Sequence, residues 1–179
     1  MERNENKDFR PENDILITRI LNAPPELVFK EWTEPERLKL WWGPKGFTMP
    51  HCNIDLRPGG TFHYCMRSPE GRDFWGKSTF REISEPQLLV LTDSFADEKG
   101  NIVPATYYGM SQDWPRETLI TLAFTAEKEG KTRLILRHIL TAVPATERDM
   151  CKQGWNESLD KLEKALAKDC VALGTCRIA

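Results

Sequence analysis

Between residues 117 and 140, apolar and polar positions alternate with a period of two, the pattern of strands that bury one face. Arg133, Ile135 and Arg137 share one face, while Leu134, Leu136, His138 and Leu140 share the other and are assigned to the core. Strands over 117–126 and 132–140 are therefore predicted, joined by the turn Glu127-Lys128-Glu129-Gly130-Lys131. Upstream, strands over 51–57 and 61–67 flank Pro58-Gly59-Gly60, a strong hairpin signal. Ser68-Pro69-Glu70-Gly71 reads as the next turn, and strands over 73–83 and 88–95 are separated by Ser84-Glu85-Pro86. Parity places Phe62, Tyr64 and Met66 inside on one strand, and Ile120, Leu122 and Phe124 inside on another. A one-residue bulge would reverse either set.

The period changes to 3.6 near the end of the chain. A helix over 146–167 carries Cys151, Trp155, Leu159, Leu162 and Leu166 on one stripe. Lys152, Asn156, Lys161, Lys164 and Lys168 are assigned to the opposite, solvated face. Gly154 costs that helix about 1 kcal/mol relative to Ala, which predicts a close approach there by a strand or a ligand. Near the start, a strand over 14–21 breaks at Asn22-Ala23-Pro24-Pro25 and leads into short helices over 27–32 and 35–40. Thr33 and Glu36 have the spacing of a capping box at the second of these. The stretch 96–116 exceeds the roughly 12–15 residues of an ordinary loop and is rich in large side chains (Tyr107, Tyr108, Met110, Trp114). It is read as a flap over one end of the sheet. The organisation predicted is an N-terminal arm over 1–13, one domain over 14–167 and a C-terminal tail over 168–179.

Strand, two short helices, six strands and a long helix is the helix-grip order, an α+β fold in which a curved antiparallel sheet wraps a C-terminal helix. Trp32-Thr33-Glu34-Pro35-Glu36 followed by Trp41-Trp42-Gly43-Pro44 resembles the helix-helix-turn signature of the family named after the activator of the heat-shock protein 90 ATPase. Asp55-Leu56-Arg57-Pro58-Gly59-Gly60-Thr61-Phe62 resembles its hairpin, and Gly76, Glu82-Ile83 and Glu85-Pro86-Gln87-Leu88 its next strand and turn. Gly154-Trp155 with Leu159-Asp160-Lys161-Leu162 resembles its final helix. The resemblance implies the START-like, birch-pollen-allergen-like (SRPBCC) superfamily, whose members enclose a hydrophobic cavity. The namesake carries an additional N-terminal domain that docks on the chaperone, for which this chain shows no counterpart, so the fold is implied more strongly than the co-chaperone activity.

Composition narrows the partners. A net charge of −2 lacks the excess of Lys and Arg that a nucleic-acid footprint needs. No apolar run approaches the roughly 20 residues of a membrane-spanning helix, and the polar N-terminus lacks a secretory signal, so membrane insertion is not expected and a cytoplasmic location is. The five cysteines (Cys52, Cys65, Cys151, Cys170, Cys176) have no CxxC spacing and read as free thiols. If the hairpin folds about Pro58-Gly59, Cys52 and Cys65 fall nearly opposite each other with His51 and His63 close by. Zinc is conceivable there, but alternation sends His51 and Cys52 to opposite faces, and two unrelated thiols are favoured.

No catalytic motif, metal site or cofactor is predicted. An Asp55–Arg57 salt bridge is favoured over substrate binding. The candidate wall of a ligand cavity is drawn from the helix face (Gly154, Trp155, Leu159), from the inner strand faces (Phe62, Tyr64, Met66; Leu122, Phe124; Leu136, His138), from Trp41, and from Tyr107 and Met110 of the flap. His138 is read first as a hydrogen-bonded core residue and second as a polar anchor in the cavity. Trp41 and Trp42 are read first as a plug at the sheet end. The leading functional expectation is binding of a small hydrophobic or amphipathic molecule between sheet and helix. Two alternatives stand beside it. One is a cyclase- or aromatase-like enzyme using His138, Tyr64 or Tyr107. The other is a co-chaperone that stimulates a heat-shock protein ATPase. An exposed sheet edge would permit a homodimer.

Overall fold

The computed structural model describes residues 14–173, with side chains described as far as Lys168. The predicted arm and the end of the predicted tail lie outside these residues. Strand β1 (Ile15–Leu21) is followed by helices α1 (Pro25–Thr33) and α2 (Pro35–Trp41). Six strands come next: β2 (Thr48–Ile54), β3 (Thr61–Arg67), β4 (Asp73–Ser84), β5 (Leu88–Ala96), β6 (Thr118–Ala126) and β7 (Thr132–Ile139). Helix α3 (Ala145–Leu173) closes the order and runs six residues past its predicted end. The strands form one antiparallel sheet in the order β1-β7-β6-β5-β4-β3-β2. The helix-grip order is the one expected from the chain.

Local chemistry accounts for the details, including two departures. Pro25 and Pro35 occupy the first helical positions of α1 and α2, where a missing N–H costs nothing. A residue before proline is driven to extended backbone, so Glu34 (φ −96°, ψ 120°) is the N-cap of α2. Thr33 therefore remains in α1, its hydroxyl donates back to the Phe29 carbonyl at 2.9 Å, and no capping box forms. The first hairpin is also longer than predicted. Asp55 to Gly60 make the turn, with Arg57 bridging to Asp55 at 2.8 Å. The register moves by one, so Cys52 faces Tyr64 while His51 faces Cys65. Cys52 and Cys65 thus lie on opposite faces, which removes the pairing that zinc would need. Among the described residues no group of three metal-ligating side chains exists, and Cys52, Cys65 and Cys151 are free.

The inner-face assignments hold on every strand for which they were made. Phe62, Tyr64, Ile120, Leu122, Phe124, Leu134, Leu136, His138 and Leu140 are all buried, and Met66 packs half-buried against them. Helix α3 lies on this face through Leu159, Leu162 and Leu166 and is fastened at the sheet edge, where Arg19 bonds Asp160, Glu163 and Asn156. Between helix and sheet sit four tryptophans. Trp32 packs edge-on against Trp41 (4.7 Å between ring centres) and Trp42 (5.9 Å), and Trp155 lies 5.5 Å from Trp42 and 6.1 Å from Trp32. Among the described residues no helix is long and apolar enough to cross a membrane.

Lys161 departs from its predicted solvated position. It is half-buried, and its ammonium donates to the carbonyls of Gly43 (3.0 Å) and Phe47 (3.1 Å), with Pro44 and Trp42 at 3.4 and 3.5 Å. One cation thereby holds the whole turn between α2 and β2 against α3. Lys161→Met keeps the stem and removes the donor. The expected outcome is a loss on the order of 1–3 kcal/mol, read as a lower urea midpoint at unchanged slope.

Candidate functional site

Strand β5 carries a carboxylate on the inner face of the sheet. Asp93 follows Leu89 and Leu91 along the inner face of β5, where an aliphatic side chain would continue the core. The register sets Ser78 on β4 and Thr118 on β6 directly beside it. Ser78 Oγ donates to Asp93 Oδ1 at 2.7 Å. The Tyr64 hydroxyl, reaching across from β3, donates to the same carboxylate at 3.2 Å to Oδ1 and 3.4 Å to Oδ2. It crosses Gly76, its partner on β4: a Cβ there would lie 2.3 Å from Tyr64 Cζ, so only glycine lets the ring through.

Above this group is a cavity of about 230 Å³. Its floor is formed by Tyr64, Met66, Phe74, Gly76, Asp93 and Phe95 on the sheet. Pro44 and Phe47 of the Lys161-held turn form one side, and Trp114 and Pro115 of the flap form the other. The flap is built in, not loose. Tyr108 is buried, donating to the Ala96 carbonyl at 2.7 Å and accepting from the Trp75 amide at 2.9 Å. Glu147 in the first turn of α3 accepts from the Ser111 amide at 2.9 Å and from the Trp114 indole.

Burial decides the protonation states. It pushes the Asp93 carboxyl up to about 6 against the opposing pull of the Ser78 and Tyr64 hydroxyls. Burial, reinforced by the Asp93 charge, holds the Tyr64 phenol well above its ordinary value and pushes the Cys151 thiol up to about 12. His138, lowered by burial to about 4, is neutral. Its tautomer follows from its neighbours. Thr118 Oγ1 donates its one proton to the Asp93 carbonyl at 3.1 Å, so it accepts from His138 Nε2–H at 2.9 Å. Nδ1 is left bare and accepts the Trp155 indole N–H at 3.2 Å.

The cavity lies elsewhere than the sequence placed it. Of the predicted wall, Tyr64 and Met66 line it. Phe62, Leu122 and Trp155 line only a void of about 10 Å³ between sheet and α3, because the tryptophan rings fill that space. Trp41, Phe124, Leu136, His138 and Leu159 are buried in the core, His138 as the hydrogen-bonded residue of its first reading. Gly154 is approached by the Pro44 ring, 3.4 Å from where a Cβ would sit, and not by a strand. Tyr107 is 61% exposed, and Met110 is half-buried outside the cavity wall. Asp93 was missed, although its parity with Leu89 and Leu91 marks a charge on a core face.

The chain matches the family described as "Activator of Hsp90 ATPase homolog 1-like protein" over residues 22–167. It belongs to that family. The family is part of the SRPBCC superfamily, whose fold commonly binds hydrophobic ligands. Among solved structures, a Nitrosomonas europaea protein is 25% identical with a TM-score of 0.70, over 89% of this chain and 97% of that one. A Staphylococcus epidermidis protein is 26% identical with a TM-score of 0.67, over 88% and 91% of the two chains. A Silicibacter pomeroyi protein bearing the family's name, 24% identical with a TM-score of 0.68 over 87% and 99%, shares the fold. No curated protein matches the chain.

Asp93 and His138 have opposite effects on stability. Asp93 is raised in the fold, so its ionisation costs stability above about pH 6, and the cost disappears as pH falls toward 4. His138 is lowered, so the unfolded chain takes up a proton that the fold refuses, and stability is lost as pH falls from 6.5 to about 4. Asp93→Asn, whose amide oxygen still accepts from Ser78 and Tyr64, is expected to melt higher than wild type at about pH 8, the gain shrinking toward pH 4. His138→Gln is expected to flatten the loss between pH 6.5 and 4. Melting curves across this range check both.

Proposed function

We propose that this protein binds a small, largely apolar molecule in the cavity beneath the flap, with Asp93 as its polar anchor. The observation that carries the reading is the cavity itself: about 230 Å³, walled by aromatic and methionine side chains, with one carboxylate in its floor. Apolar walls with few convergent polar groups are the usual make-up of a small-molecule site. The volume is modest beside the roughly 300–1,000 Å³ of drug-sized pockets, but a dry apolar cavity of about 150 Å³ already takes benzene. The ligand is therefore of the size of one substituted ring. Relatives with the same fold commonly bind hydrophobic ligands, which supports the same reading.

An enzymatic reading has one observation in its favour. Asp93, with a pKa near 6, faces the cavity beside the Tyr64 hydroxyl, which suits a general base next to a hydrogen-bond donor. Of the three candidates drawn from the sequence, Tyr64 alone reaches this space. That reading requires turnover that rises through about pH 6 and is lost in Asp93→Asn. The chaperone ATPase activation named in the family description draws no support from the cavity.

Binding is tested with 2-phenylethanol, followed by tryptophan fluorescence, since Trp114 lines the site. Wild type is expected to give a saturable change. Met66→Trp, which fills the cavity from β3, is expected to weaken binding by about tenfold or more, a difference of about 1.4 kcal/mol. A flat titration of the wild type would remove the reading.

A further inference from the structure

We infer that the molecule held beneath the flap is a cation: a small organic ammonium whose charge lies against Asp93 and whose apolar body fills the aromatic end of the cavity. This inference rests on the binding reading above and adds the chemical class of the ligand.

The first argument is a missing partner. The groups around Asp93 are all neutral at pH 7. The Tyr64 phenol from β3 and the Ser78 hydroxyl from β4 donate to its carboxylate. The Thr118 hydroxyl from β6 donates to its backbone carbonyl and accepts from the His138 imidazole of β7 behind it, and the Cys151 thiol of α3 is near enough to feel its charge. Burial holds Tyr64 and Cys151 protonated and His138 unprotonated. Two cations on and beside β4 are spent elsewhere. Arg72 lies over the Phe74 ring at 4.8 Å and donates to the Tyr108 carbonyl, while Lys77 donates to the Gly100 carbonyl at 3.1 Å. Among the described residues no Lys, Arg or His forms an ion pair with Asp93. A lone carboxylate in a desolvated site is costly, and the cost is relieved by an opposite charge, which attracts it far more strongly there than in water.

The second argument is the wall. Phe47, Tyr64, Phe74, Phe95 and Trp114 present aromatic rings to the same space. Ring faces carry negative potential and attract cations, tryptophan most strongly. An anionic ligand would meet both the carboxylate and these faces, and a neutral alcohol would gain only a hydrogen bond. A carboxylate surrounded by rings favours an ammonium on both counts.

The test compares 2-phenylethylamine, 2-phenylethanol and phenylacetate, which differ chiefly in charge, by calorimetry and tryptophan fluorescence. At about pH 8 the amine is expected to bind at least about tenfold more tightly than the alcohol, with phenylacetate weakest. An alkylammonium keeps its proton from about pH 5 to 8, so the preference is expected to collapse toward pH 5 as Asp93 protonates. Asp93→Asn is expected to abolish the preference of the amine over the alcohol. The wild-type pH series carries the inference independently should that variant fold poorly. Equal or tighter binding of the alcohol at about pH 8 would overturn the cationic ligand and leave the binding site standing. Absence of binding by all three probes would overturn both.

Discussion

The packing of four indoles inside the grip is the constraint from which the rest of the molecule follows. Trp32 comes from α1, Trp41 from α2, Trp42 from the residue that ends α2, and Trp155 from α3. Each contributes more area than any aliphatic residue could, and together they fix how far α3 stands from the sheet. They also consume the space that the superfamily's architecture makes available there, leaving about 10 Å³. The free volume survives only at the end of the sheet beyond their reach, under the turn and the flap.

That end of the sheet is arranged at some expense to stability. A pair of apolar residues in place of Asp93 and Ser78 would continue the core without a desolvated charge, as Leu91 and Phe80 do one step along the strands. Instead, β4 carries glycine at position 76 so that a tyrosine can lie across the backbone and reach the carboxylate. Three strands contribute to one interaction, and none of the three residues has its role alone. A stability cost concentrated at one concave place, offset by close packing elsewhere, is the pattern expected of a functional site.

Most of the frame was legible in the chain because strand parity and the 3.6-residue period report burial directly. The sets Phe62-Tyr64, Ile120-Leu122-Phe124 and Leu134-Leu136-His138 all face inward as their alternation requires. Where the reading failed, more than one element was involved. The β2–β3 register depends on how Asp55 to Gly60 fold, and a single residue of difference separated Cys52 from Cys65. Lys161 falls among solvated residues on a helical wheel, yet the neighbouring turn offers it four carbonyls. The flap was recognised from its length and bulk, but its neighbouring residues divide unexpectedly: Tyr108 turns inward while Tyr107 turns out. The position of the cavity is a difference between the volume enclosed by the fold and the volume of the rings inside it, which no local pattern encodes.

Both sides of the cavity mouth are tethered to the same helix. Lys161 holds the turn carrying Pro44 and Phe47, and Glu147 holds the flap segment carrying Trp114. These anchors lie fourteen positions apart on α3, about 21 Å at 1.5 Å per residue. Helix α3 therefore acts as a beam spanning the aperture, and the opening cannot widen on either side without straining a bond to it. Access to the interior is governed by the longest element of the fold, not by its loops.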